Sequence, residues 1–452
     1  MSKRGRLRSV VGIGVVALLI RLLFGLVVID TMPLMSDAVS YDTEAKELLR
    51  SFLGTDPFYW PPGLPALLAG WYSIFGTGVD IARGFMIVIS TANVVLVYEL
   101  ACQLLENERI ARWAGGIMAV YPPSVMMTSQ VVSQPVEMTA LLAATIFLLF
   151  GVRRRHWGWF LGVGGAFGVG GLVRPSLLSV VLFLMILLAV KLYWAARRRE
   201  QFPVQLILGA GLGLLVLGSM LTPVAVYNHA HGGGWTLSTN NRYNLLLGNN
   251  PHTPLYKTSH LASRSLEELP KDVRTYLRTV KQESRASRTA TLQKVGMYVL
   301  ENPGTTLLRT LNRIRAFWGF DYVASRRFQI AYELGWWALV GLLSLEAGGY
   351  LAVMILVLLG LVEGREKLDW GMGLVGGLVI GYQIPYWIAF SAGTYHFTVV
   401  GLLVPFAALG ATVLLDWIHG KRDLRGPRKA KILVGVLLLL QIEYAYFIYG
   451  HM

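Results

Sequence analysis

The feature that most constrains this chain is a series of apolar runs, each close to the roughly 20 residues a helix needs to cross a bilayer. They predict helices near residues 10–29, 79–104, 109–127, 133–151, 157–174, 176–195, 204–224, 332–361, 370–391, 397–417 and 431–449, about eleven transmembrane helices in all. Over 452 residues, 54% are apolar and 15% charged, against roughly 25% charged in soluble domains. An all-α polytopic membrane protein is the expected fold class. The only cysteine, Cys102, excludes an internal disulfide and any multi-cysteine metal site, so helix packing must hold the fold. The first run follows a basic MSKRGRLRS stretch, as a signal peptide would. It is longer than the ~7 to 15 residues of a signal core and ends in IDTMP, so a retained helix is expected.

Lys and Arg accumulate in cytoplasmic loops, and this bias sets orientation. Lys3, Arg4, Arg6 and Arg8 put the N-terminus inside. Each return then meets positive charge at Arg109 and Arg112, Arg153 to Arg155, Arg197 to Arg199, Arg365 and Lys367, and the GKRDLRGPRKAK stretch. The alternate short loops, Tyr121 to Ser133 and Ser391 to His396, carry no Lys or Arg. The net charge of +15, which in a soluble protein would suggest nucleic acid, is in large part topology.

Two outward segments are too polar to face lipid. In residues 30–62, Tyr41, Ala45, Leu48, Leu49 and Phe52 share one helical face, which predicts a helix lying along the membrane surface. PALLAGWYSIFG predicts a second interfacial helix. Residues 225–329 are the one stretch large enough for an extracytoplasmic region, mostly helical and broken at Pro270 and Pro303. The chain thus divides into an N-terminal transmembrane module (1–224) carrying the 30–62 loop, the 225–329 loop region, and C-terminal transmembrane helices (330–452).

Chemistry-bearing groups gather in the outward segments. Asp37 and Asp42 follow the first span beside Met32 to Met35, where an unpaired carboxylate is expensive. The plain alternative is a pair of solvated carboxylates, with Asp37 as a helix N-cap. Trp60 and Pro62 belong to YWPPGLP, a stiff turn that either only turns or shapes a cavity mouth. Arg174, in GGLVRPSLL, needs either a structural carboxylate such as Glu137 or a ligand phosphate. In STNNRYNLLLGNNP the amides of Asn240, Asn241, Asn249 and Asn250 can bind a sugar and Arg242 a phosphate, although turn formation explains the same residues. His229 and His231 lack a third metal ligand. Tyr395 and His396 are interfacial anchors, or His396 donates to a phosphate at a cavity mouth.

In this order, the aspartate with Tyr41 and Ala45, PPGLP, YPPSVMMTSQVVSQP, LVRP, STNNRYNLLLGNNP, ENPG and YHF resemble the GT-C superfamily of membrane glycosyltransferases. The branch it is most similar to contains protein O-mannosyltransferases and the lipid A aminoarabinose transferase. The resemblance implies a GT-C-like bundle that takes a sugar from a polyprenyl-phosphate carrier and passes it, with inversion, to a lipid, glycan or protein acceptor at the extracytoplasmic face. Carried over by position, Asp37 is the base and Asp42 the second choice. Arg174, Arg242, His396 and Tyr395 would hold the donor phosphate, and Tyr41, Trp60, Pro62, Gln134, Glu137 and Asn249 would line the cavity. Two departures stand out. Ser133 is followed by Gln134 where relatives often have Glu, so Glu137 is left to supply a second acid. The last hairpin offers Thr394, Tyr395 and His396 where arginines are common. No metal site is expected; a divalent cation is the one cofactor the reading admits. A bacterial inner membrane is the expected location, with membrane lipids as neighbours and no nucleic acid. The competing readings are an O-antigen-ligase-like transfer of a diphosphate-linked glycan and, lower, a lipid or sugar transporter, which would favour repeated halves and charges at mid-membrane.

Overall fold

The computed structural model describes residues 3–51, 54–198, 204–264, 266–286, 288–363, 370–421 and 428–450. Phe52, Arg199, Arg365, Lys367 and much of the basic 420–431 stretch lie outside them. Every regular element among the described residues is helical. The first part runs α1 (Lys3–Leu22, prolonged by a wider turn over Leu23–Val28), α2 (Asp37–Arg50), α3 (Gly63–Phe75), α4 (Val79–Leu105) and α5 (Glu108–Val120). It continues with α6 (Pro122–Met126), α7 (Ser133–Arg154), α8 (Trp159–Val173), α9 (Leu178–Arg197) and α10 (Val204–Ala230). The loop region holds α11 (Asn240–Gly248), α12 (Lys271–Ala286), α13 (Arg288–Glu301), α14 (Pro303–Phe317) and α15 (Val323–Tyr332). The last helices are α16 (Trp336–Glu363), α17 (Trp370–Ile388), α18 (Phe397–Ile418) and α19 (Arg428–Gly450).

Eight helical stretches among the described residues are long and apolar enough to span, and the chain is an integral membrane protein of the expected all-α class. The other three expected spans differ for identifiable reasons. α5 stops after 13 residues because Tyr121 precedes Pro122 and Pro123, which remove donors and push the chain out of the helical region. α8 stops after 15 residues for the same reason, Arg174 taking an extended conformation before Pro175. α17 keeps 19 residues but carries glycines, Gln383 and Pro385.

At the centre is α18, whose apolar window is 83% buried, packed by α16, α5, α7 and α4. α1, α9, α10 and α19, with 11–17% of theirs buried, form the lipid-facing rim. α16 and α18 approach so closely that a Cβ on Gly410 would stand 1.9 Å from the Leu356 carbonyl oxygen. Arg21, inside the first apolar run, is fully buried and spends its guanidinium on the carbonyls of Ala17, Met118 and Ala119 and on the hydroxyls of Ser90 and Ser124. This ties α1 to α4, α5 and α6.

Arg6 pairs with Glu99, Ser9 with Glu108 at 3.0 Å and Arg153 with Glu106 at 3.4 Å. The start of α1, the α4–α5 turn and the end of α7 therefore share one end of the bundle, as the charge pattern requires. Beyond the opposite end, α11 to α13 build a small apolar core from Leu246, Leu247, Leu277, Val280 and Val295 with Phe390. Pro270 and Pro303 do bound helices, α12 beginning just after the first and α14 at the second.

Candidate active site

The loop that follows α1 is clamped from below. Arg83 of α4, fully buried, donates to the carbonyls of Asp30, at 3.1 Å, and Met32, and Gln130 accepts from the Met35 amide at 2.7 Å while donating to the Pro33 carbonyl at 2.9 Å. Ser36 then turns the chain with φ 55° and ψ −130°, a conformation that favours glycine and costs about 1–3 kcal/mol in other residues. Backbone strain of this kind collects where position matters. The next residue is Asp37, the first of α2, so it is not the N-cap. Its negative charge suits the start of a helix, and its carboxylate is not consumed in capping. Among the described residues the only hydrogen bond it receives is a long one, 3.5 Å, from the Ser36 hydroxyl.

Asp37 forms one wall of a cavity of about 170 Å³. Tyr41 stands one turn along α2, with Trp60 and Pro61 of the stiff turn beside it, the two rings 5.8 Å apart. Gly63 lets that turn lie on the end of α8, since a Cβ there would fall 2.5 Å from the Leu172 carbonyl carbon. The neighbouring Arg174 thereby projects into the cavity from its extended backbone, under the Tyr395 ring at 4.9 Å and donating to the Ser133 hydroxyl at 3.3 Å. Gln134 reaches Thr394 at 3.4 Å, and Asn240, Asn241 and Asn244 complete the polar lining with Arg327.

Arg327 was not among the sequence candidates. It comes from α15, whose first amides are held by carboxylates. Asp321 accepts from the Tyr322 and Val323 amides, and Glu346 accepts from the amides of Ala324 and Ser325 at 3.1 and 2.8 Å. Burial pulls the Arg327 pKa down, and the charges of Asp37, Asp321 and Glu346 oppose that shift. Burial likewise raises the Tyr41 hydroxyl, with Asp37 adding to the effect. One cavity thus brings a carboxylate, two guanidinium groups and several amides together.

The other sequence candidates are placed elsewhere. Asp42 faces away, its oxygens taken by Lys46 and by the Tyr72 hydroxyl, both at 2.6 Å. Pro62 is buried behind Pro61 as the residue that precedes α3. Arg242 donates to the Gly233 carbonyl. Asn249 bonds the Leu245 and Ile388 carbonyls and accepts from Arg313, which fits it for holding the loop region rather than for lining the cavity. His396 is buried against Tyr350, ring centroids 4.1 Å apart, with Nδ1 2.9 Å from the Phe317 carbonyl oxygen. Glu137 is not on the wall but beneath it, accepting from Ser176, Tyr382 and Thr398 at 3.3, 2.9 and 3.0 Å. It supplies negative charge behind Arg174. His229 stacks on Trp235 and His231 on Tyr227, and no metal-binding group of three or more ligands occurs among the described residues.

Residues 60–222 match the family model of dolichyl-phosphate-mannose-protein mannosyltransferases. The resemblance read from the motifs is thereby borne out over the part of the chain that includes the stiff turn and Arg174. Among solved structures, the chain is similar to the S. cerevisiae protein O-mannosyltransferase Pmt1-Pmt2 complex bound to the sugar donor, at 19% identity and a TM-score of 0.43 over 56% of this chain. It spans 38% of that structure's length. ArnT from Cupriavidus metallidurans bound to undecaprenyl phosphate is 14% identical, with a TM-score of 0.41 over 91% of this chain and 79% of that one. No curated protein matches the chain.

Proposed function

We propose that this chain, related through residues 60–222 to the GT-C membrane glycosyltransferases, itself transfers one sugar from a polyprenyl-phosphate carrier to a hydroxyl acceptor, with inversion. The observation that carries this reading is the meeting of Asp37 with Arg174 and Arg327 around a single small cavity. In the step, the acceptor oxygen bonds to the anomeric carbon as the bond from that carbon to the phosphate oxygen breaks. The acceptor proton passes to Asp37, a base that needs no cofactor. The electron pair leaves with the lipid phosphate, whose charge Arg174 and Arg327 stabilise, and Asn240, Asn241 and Asn244 are placed to bind sugar hydroxyls.

At about 170 Å³ the cavity is smaller than the roughly 300–1,000 Å³ of drug-sized ligand sites, which favours one sugar over a preassembled glycan. The basic loops at the opposite end of the bundle support an extracytoplasmic site with the N-terminus inside; the membrane we assign it to is a bacterial inner membrane. Acceptors on that face are lipids, glycans or proteins. Purified protein given a polyprenyl-phosphate sugar and, separately, a diphosphate-linked oligosaccharide tests the donor. Consumption of the first alone, with an inverted product by NMR, is expected. Consumption of the second alone overturns the reading.

A further inference from the structure

Glu346 is an acid buried where an unpartnered carboxylate is expensive. It is the only charged side chain between Trp336 and Val362 of α16, a helix apolar enough to span, and it is 1% exposed. At 1.5 Å per residue it lies about 15 Å along the helix from Trp336. An ionisable group at that depth needs a polar partner and a purpose.

Its partner is the start of α15. The amides from Tyr322 to Ser325 open that helix and so have no acceptor within it. Asp321 takes the first two, at 2.8 and 3.1 Å, but it belongs to the same stretch of chain and moves with the helix. Glu346 takes the next two, one with each oxygen, and also the Ser325 hydroxyl at 2.6 Å. Glu346 alone of the two acids comes from another element, so it ties α15 to the bundle.

The turn it grips is the one that walls the candidate active site. Val323, Ala324 and Arg327 line the cavity with Asp37, and residues at this spacing share one helix face. Ala324 and Phe328 also pack with Ile29, Met32 and Met126, but apolar packing is non-directional. Three charge-assisted hydrogen bonds fix the rotation and height of the helix far more sharply. The Glu346 charge also favours the ionised Arg327 against the cost of its burial.

We propose that Glu346 is a positioning residue, which sets the Arg327 guanidinium opposite Asp37 by holding the first turn of α15. It touches neither donor nor acceptor and acts through Arg327. The inference rests on the reading above for what Arg327 does to the lipid phosphate, and adds what fixes its place.

The test is a double-mutant cycle in the full-length protein. Turnover of a polyprenyl-phosphate sugar, affinity for undecaprenyl phosphate by native mass spectrometry and melting temperature are read for Glu346→Gln, Arg327→Gln and the pair. Glu346→Gln should lower kcat by about tenfold or more, the scale of a small misplacement at a site, and should weaken undecaprenyl phosphate severalfold. In the Arg327→Gln background the same change should cost less than about twofold in either readout. Ser325→Ala, which removes only the hydroxyl contact and leaves both amides in place, should repeat the pattern at about threefold and carries the test if Glu346→Gln does not fold. Equal losses with and without Arg327 reduce Glu346 to a structural cap and overturn the proposal, as do wild-type kcat and affinity in a folded Glu346→Gln or, where that variant does not fold, in Ser325→Ala. A protein that transfers no sugar but shows the coupling in lipid affinity defeats the proposed function and leaves the role of Glu346 standing.

Discussion

At the residue scale, two of the four acids on α2 have opposite fates. Asp37 opens onto the cavity, whereas Glu44, two turns along the helix, has its pKa raised to about 7 by burial, with Glu47 adding to the shift. A carboxyl raised in the fold favours the folded state fully below its unfolded pKa near 4.5 and loses that contribution as pH rises through about 7. Glu44→Gln should therefore gain thermal stability over the wild type at pH 8 and none at pH 4.5, by melting followed across that range. A constant difference at both pH values would remove Glu44 as the cause. The sequence made Asp37 legible as an acid in the polar loop after the first apolar run, and its place in the ordered motifs of the family resemblance set it ahead of Asp42. Arg327 was not legible: it is one of several arginines in an amphipathic loop region, and only the docking of α15 against the cavity distinguishes it. Asp42 was equally conspicuous, but its satisfaction by Tyr72 is a tertiary contact that spacing does not encode.

Elements were readable to the extent that their ends carry local chemistry. The helices after Pro270 and Pro303 begin where the prolines predict, and LVRP ends α8 where the residue before proline must extend. Arg21 escaped notice because an otherwise apolar run outweighs one charge, and its carbonyl partners come from α1 itself and from α5, about a hundred residues away. The close packing of α16 on α18 was also silent, since glycine is frequent throughout the membrane helices. It makes a testable contrast. Gly410→Ala puts a methyl group against the Leu356 carbonyl and should destabilise by about 1–3 kcal/mol. Gly348→Ala, in open space on α16, should be neutral or stabilise by up to roughly 1 kcal/mol through helix propensity. Thermal melting of both in one detergent reads the difference, and equal melting temperatures would contradict the packing described.

At the scale of the molecule, a buried α18 and a lipid-facing rim hold one polar floor on which the 30–62 loop, the end of α8, the 391–396 hairpin and α15 converge. The fold class followed from apolar run length alone. The convergence did not, because it joins residues almost 360 positions apart in sequence, Asp37 with Tyr395, through packing. The central claim is that Asp37 takes the acceptor proton in this chamber, and the most direct measurement is the turnover of Asp37→Asn with a polyprenyl-phosphate sugar, alongside its affinity for that donor. A fall in kcat of about 10²–10⁴-fold with donor affinity and melting temperature unchanged is the predicted result. Wild-type turnover in the folded variant would contradict it.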